Sequence, residues 1–376
     1  MASDETPNTT AKKSPSPATS PAGKKSPPPA TSPAGKDSPS RAAPEAPTGI
    51  LPVEHWTQDP VPEDDVASYV ESVQSSTASV SSSILNYRTL QGRRYHSEIG
   101  NAQYWGTNDE RQSEALDINH HSLTLACGGK LYVAPLEEGK VQKVLDIGTG
   151  TGIWAIDFAD EFPEAEVIGT DISPIQPTWI PPNLKFEVED CTREWTFAEN
   201  SVDYIHMRWL MGSIPDWDAL FAEAYRTLKP GGWIESYEAS PIFESDHAEV
   251  PEDSALGQWG KFFVEGGKKL GRPFTVVQEG MQRKSLEAAG FVDIKEIPVK
   301  TPVGTWPKDP EKKELGTVAQ LVIESDTEGH ILFMANTLGW KREEIQVFIA
   351  HLRRELRSNK YLPHYRSTIA IARKPE

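Results

Sequence analysis

Asp146, Gly148, Gly150, Gly152, Asp171 and Asp190 have the residue types and spacing of a nucleoside-binding site. The glycines stand in G-T-G-T-G at 148–152, just after an apolar run that closes on Asp146 and Ile147. Glycine takes backbone angles that other residues avoid, so the chain can turn sharply there and bring its backbone against a ligand. Asp171 lies 19 residues beyond Gly152, at the tip of a second apolar run. An acid at about that separation is placed to accept hydrogen bonds from ribose hydroxyls. Asp190 closes a third run and matches the need to accept from an adenine amino group. Each has a plain alternative: a turn without a ligand for the glycines, a helix N-cap for an aspartate.

Nicotinamide, flavin and other nucleotide sites share glycine-rich turns, and three departures separate this one from them. Its spacing is G-x-G-x-G rather than the G-x-G-x-x-G of a diphosphate cradle. Asp146 precedes the first glycine by two residues, where a cationic ligand would be favoured and a diphosphate repelled. Asp190 adds the adenine acceptor. Adenine, ribose and a positively charged amino-acid moiety together describe S-adenosylmethionine. Transfer from its sulfonium needs a base only when the acceptor must lose a proton. His206, ending the run V-D-Y-I-H-M at 202–207, is placed to face the acceptor and is the candidate base; His247 is a second. His120 and His121 have no third ligand at metal spacing and read as packing or lid residues, so no metal site is expected.

The elements that must hold these residues alternate. Strands are expected from Val141, over A-E-V-I-G-T-D to Asp171, over L-K-F-E-V-E-D to Asp190, at 202–207 and over W-I-E-S-Y-E. Helical stretches run from Ile153 to about Phe162 and over W-D-A-L-F-A-E-A-Y-R-T-L, with a turn at K-P-G-G, 229–232. Such alternation specifies an open, Rossmann-like α/β sheet with helices on both faces. A lead-in helix over 109–126 should end at Gly128-Gly129, and a helical insertion over 311–358 precedes a final strand at 366–372. The insertion can cover an acceptor pocket, offer a partner surface or simply pack in the core.

Composition divides the chain at about residue 50. Residues 1–50 hold 11 of the 31 prolines and a 12-residue repeat, K-K-S-P-S-P-A-T-S-P-A-G at 12–23 and K-K-S-P-P-P-A-T-S-P-A-G at 24–35. So proline-rich a segment reads as an extended tail. Six Ser-Pro steps, from Ser14 to Ser38, are sites for proline-directed phosphorylation, and the Lys pairs resemble a thinned-out nuclear import signal. Residues 51–135 read as a lead-in with lid helices, in which 66–80 could form a short helix; residues 136–376 read as the catalytic domain. Taking the tail's six basic and four acidic side chains from the chain's 38 and 55 leaves 32 and 51, a net of −19. So acidic a body is a poor match for a phosphate backbone and argues against direct nucleic-acid binding by the folded part. Two cysteines, Cys127 and Cys191, exclude a disulfide framework or a multi-cysteine metal site. No apolar run reaches the ~18 residues of a membrane span, so a soluble protein of nucleus or cytoplasm is expected.

V-L-D-I-G-T-G-T-G-I-W, G-T-D-I-S-P-I-Q-P, the run to Asp190 and L-K-P-G-G-W-I-E resemble the motifs of class I methyltransferases. More narrowly, N-D-E-R with L-D-I-N-H-H, W-I-P-P-N-L-K-F-E-V-E-D, H-M-R-W-L-M-G-S-I-P-D-W and G-T-W-P-K-D-P-E-K-K-E-L-G resemble the LaeA-like, velvet-associated methyltransferases of filamentous fungi. The resemblance covers residues 87–375. It implies that Asp146, Gly148, Gly150 and Gly152 hold the methionine end of the cofactor, Asp171 the ribose and Asp190 the adenine. It makes Tyr104, just before N-D-E-R, a candidate lid. It also implies a regulator of secondary metabolism and development with velvet-type partners and an unidentified methyl acceptor. The alternatives are a small-molecule O- or N-methyltransferase of a pathway, or a cofactor-binding module without turnover.

Overall fold

A computed structural model describes residues 49–58, 87–97, 104–137 and 139–376. The repeat tail and the helix expected over 66–80 lie outside these residues. A single helical turn, α1 (Val53–Trp56), buries Trp56 edge-on against Phe348 at 5.1 Å. A hairpin follows, β1 (Arg88–Leu90) with β2 (Arg93–Tyr95). Its arginines hide it from an apolar-pattern reading, yet Arg93 is buried. The Arg93 guanidinium donates to Asp109 and to Asp326 at 2.7–2.8 Å, which satisfies a charge that would otherwise be costly to bury. Asp109 also accepts from Gln112 N as the N-cap of helix α2 (Glu110–Ala126), so the hairpin is fastened to the start of that helix. Gly128 and Gly129, both at positive φ, follow its end as expected.

Seven strands form the main sheet: β3 (Lys143–Ile147), β4 (Glu166–Asp171), β5 (Leu184–Val188), β6 (Val202–Arg208), β7 (Leu228–Glu244), β8 (Val292–Pro302) and β9 (His364–Arg373). Their order is β5-β4-β3-β6-β7-β9-β8. Pairs from β5 to β7 are parallel, and β9 runs antiparallel to both β7 and β8. Alternate side chains of a strand face opposite sides, and here both sides are covered. Leu145 and Ile147 of β3 join one core while Val144 joins the other; Ile168 and Val167, and Ile205 and Tyr204, divide in the same way. Helix α3 (Ile153–Glu161) closes the second core with Trp154 stacked on Phe158 at 4.9 Å. Helix α4 (Trp217–Thr227) closes the first with Trp217 and Phe221. Each such fully buried side chain contributes roughly 1.5–3 kcal/mol of transfer free energy. This is the α/β architecture the alternating runs specify.

Three local readings differ. Lys229–Gly232 is not a turn before a strand but a bulge inside β7: Val202 pairs with Leu228, and Tyr204 already with Trp233. The third strand ends at Val188, so Asp190 stands in the loop beyond it. Between β7 and β9 lie α5 (Ala255–Leu270), α6 (Met281–Ala289) and β8, none of which is among the elements expected above. Helix α5 contains four glycines, a poor helix composition. Gly257 and Gly267 are required because a Cβ there would run into the backbone oxygens of Pro251 and Arg272. The expected insertion is three helices, α7 (Pro310–Ser325), α8 (Thr327–Thr337) and α9 (Arg342–Ser358), between β8 and β9. Among the described residues no helix is long and apolar enough to cross a membrane, and no cluster of three His, Cys, Asp or Glu could hold a metal.

Candidate active site

The chain leaves β3 for β4 and β5 on one side and returns to β6 on the other. A crevice therefore opens beyond the carboxyl ends of β3 and β6, the usual place for a ligand in such a sheet. The glycine turn closes its floor. Gly148, Gly150 and Gly152 sit at φ +69°, +59° and +83°, where side chains are rarely tolerated. A Cβ at Gly148 would strike Leu210 Cδ2 at 2.5 Å, and one at Gly152 would strike the Phe186 ring at 2.4 Å. At Gly150 the nearest atom is Leu116 Cδ1 at 3.9 Å, so the backbone there stands open to the cleft.

Gly150 N–H donates to Asp171 Oδ2 (2.9 Å) and Ser173 N–H to Asp171 Oδ1 (3.0 Å), which fixes the second-strand acid against the turn. Burial raises the Asp171 carboxyl to about 6, although these backbone bonds hold it down. Asp190 accepts from Thr192 N (3.0 Å) and Thr192 Oγ1 (2.6 Å), and it too lines the cleft. Tyr104 closes the opposite side, its phenol pushed up by burial and by the nearby Asp171. The cleft encloses about 1160 Å³ of empty space with its open mouth included.

Five of the sequence-selected residues thus meet around one cleft: Tyr104, Gly148, Gly150, Asp171 and Asp190. Three do not line it. Asp146 is buried behind the turn, accepting from Thr149 Oγ1 at 2.6 Å and bonded to His206 Nδ1 at 2.7 Å. Both of its oxygens are engaged, so it supports the turn rather than a ligand. Gly152 is the N-cap residue of α3 and faces Phe186. His206 is buried and stacked on Trp154 at 3.6 Å; burial depresses its pKa in spite of Asp146. Its expected place facing the acceptor is taken by the protein core. His247 is exposed beside Trp306, away from the cleft. His120 is a packing residue as expected, bonded to Asp157 and to Arg208.

Sequence reading missed the wall opposite the turn, where Gln112, Leu116 and Asn119 of α2 line the cleft. Their helical spacing was available as a signal. It also missed Arg208, the last residue of β6, which stands beside the glycine turn and makes no ion pair among the described residues. Glu238 on β7 is a third omission. Both its oxygens accept, from Leu210 N (3.1 Å) and Met211 N (2.9 Å), and burial lifts it to about 8. It pins the corner after β6. Glu238→Gln would set an amide N–H₂ against one of these N–H groups and should cost about 1–3 kcal/mol in a denaturation experiment.

The expected role of Asp171, accepting from two ribose hydroxyls, calls for the ionised carboxylate. With its carboxyl at about 6, cofactor affinity should be level above that pH. Below it, affinity should fall by up to about tenfold per pH unit, and calorimetry at several pH values checks this.

The sheet order, the glycine turn and the acids at successive strand ends define a class I S-adenosylmethionine-dependent methyltransferase. A methyltransferase domain model matches residues 118–296. The chain is 36% identical over 304 residues to the methyltransferase pytC of Aspergillus terreus, covering 80% of this chain and 92% of that protein. It is 36% identical over 291 residues to the secondary metabolism regulator LAE1 of Cochliobolus heterostrophus, covering 76% and 94%. It is 30% identical over 271 residues to the probable methyltransferase tdiE of Emericella nidulans, covering 71% and 84%. The chain belongs to the LaeA-like methyltransferase family.

Proposed function

We propose that S-adenosylmethionine lies with its ribose on Asp171, its adenine beside Asp190 and its methionine end along Gly148–Gly150. The bond from Gly150 N–H to the half-buried Asp171 carboxylate carries this reading, because it joins an open backbone to an acceptor with no cation beside it. Arg208, which lines the cleft at the methionine end and makes no ion pair among the described residues, supplies the charge that a carboxylate requires. When bound, the cofactor supplies an electrophilic methyl group on a sulfonium. Charge disperses in that displacement, so this chain's part is alignment and exclusion of water.

The role we infer is regulation of secondary metabolism, in nucleus and cytoplasm, with velvet-type partners. Relatives named as secondary metabolism regulators support it, and six Ser-Pro sites in the tail suit a regulated protein better than a pathway enzyme. The second reading, methylation of a small pathway molecule, is favoured by an apolar, aromatic-walled pocket next to the cleft. Incubation of the full chain with methyl-labelled cofactor and fungal extract separates the two. Label in a protein supports the regulator, label in an organic-soluble compound the pathway enzyme, and none the module without turnover.

A further inference from the structure

A second cavity, about 560 Å³ with its open mouth included, adjoins the cofactor cleft, and Asn119 and Trp209 line both. Trp105, Trp209, Trp259, Phe263 and Tyr365 make its walls aromatic. They are held in fixed edge-on or tilted contacts: Trp105 on Phe263 at 5.5 Å, Trp259 on Phe263 at 5.1 Å, and Trp209 on Tyr365 at 6.4 Å. Trp209 sits at φ +57°, a strained conformation for a non-glycine residue, and its buried indole N–H has no partner among the described residues. Such strain concentrates at functional sites.

Besides the Tyr365 phenol, one ionisable group lines this chamber, His330 of α8. Its Nδ1 lies 2.7 Å from the backbone oxygen of Asp326. A carbonyl can only accept, so Nδ1 carries the proton and Nε2 carries a lone pair. Nε2 makes no hydrogen bond among the described residues. Asp326 is itself held by Arg93 and caps α8 through Gly329 N, so the ring is anchored from its rear. Burial lowers the pKa of His330 and keeps the ring neutral.

We propose that this chamber binds the methyl acceptor, a flat aromatic molecule with a phenolic hydroxyl, and that His330 Nε2 is its general base. The proposal rests on the methyl-transfer reading of the cleft and not on the regulator role. Aromatic walls complement a flat ring, and a neutral imidazole is matched to a phenol rather than to an aliphatic alcohol. In the step, the phenol proton passes to Nε2 and the oxygen pair forms the new O–CH₃ bond. The C–S bond breaks, its pair stays on sulfur, and the sulfonium leaves as a neutral thioether. The imidazolium then returns its proton to solvent.

The test uses the full chain and 4-nitrophenol, whose absorption reports its ionisation, with 4-nitroanisole and butylammonium as comparison probes. Both aromatic probes should bind saturably and quench tryptophan fluorescence. Ala319→Phe fills the chamber and should abolish probe binding while leaving calorimetric cofactor affinity unchanged. His330→Asn keeps a donor for the Asp326 carbonyl but removes Nε2. It should bind both probes within about twofold and lower transfer to nitrophenol on the order of a hundredfold. This comparison does not depend on the filled variant folding. Cofactor binding with no nitrophenol binding, undiminished transfer in His330→Asn, or preference for butylammonium would overturn the proposal and leave the methyltransferase reading intact. Failure of the parent chain to bind the cofactor would instead remove the reading beneath it.

Discussion

Gly150→Val should abolish measurable cofactor binding, a loss of at least about a hundredfold, while the chain still folds. Gly150 sits at φ +59°, where a β-branched residue is a true outlier costing on the order of 1–3 kcal/mol. No protein atom lies within 3.9 Å of the added Cβ, so the side chain would occupy the cleft itself. Strain also loosens the bond from Gly150 N–H to Asp171, and three effects then act on one ligand. Gly150→Ala has the same backbone strain but less bulk, so its loss should be smaller. Calorimetry with a melting curve for each variant separates blocked binding from unfolding.

Asp171→Ala is expected to weaken cofactor binding roughly ten- to hundredfold, since hydrogen bonds to a charged group contribute about 1.5–3 kcal/mol. Two backbone donors, Gly150 N and Ser173 N, also lose their acceptor, so the loss should fall towards the upper end. Asp190→Asn retains one acceptor oxygen and should cost only about 1 kcal/mol. Equal affinity in Asp171→Ala and the parent chain would reduce the second-strand acid to a loop cap and displace the assigned pocket.

The strand-end acids were legible because each closes a short apolar run, and an acid at such a point has few places to go other than the crevice. Asp171 and Asp190 are there. Asp146 carries the same signal and lies elsewhere, because His206, 60 residues away on β6, and Thr149 within the turn engage both its oxygens. Nothing local reveals a partner supplied by the neighbouring strand. His206 was misjudged for the same reason: the Trp154 ring from α3 covers it. Strand β8 escaped notice because it is an exposed edge, V-D-I-K-E-I-P-V-K, whose alternation is broken at Lys295-Glu296. His330 could not be found at all, since its chamber is assembled from α2, α5, α7, α8, β7, β9 and the corner after β6.

Calorimetric titration of the purified full chain with S-adenosylmethionine, and separately with NAD, tests the central claim most directly. Saturable binding of S-adenosylmethionine at one site per chain, lost in Gly150→Val, with no heat from NAD, is the expected result. Tight binding of NAD with no response to S-adenosylmethionine would contradict it.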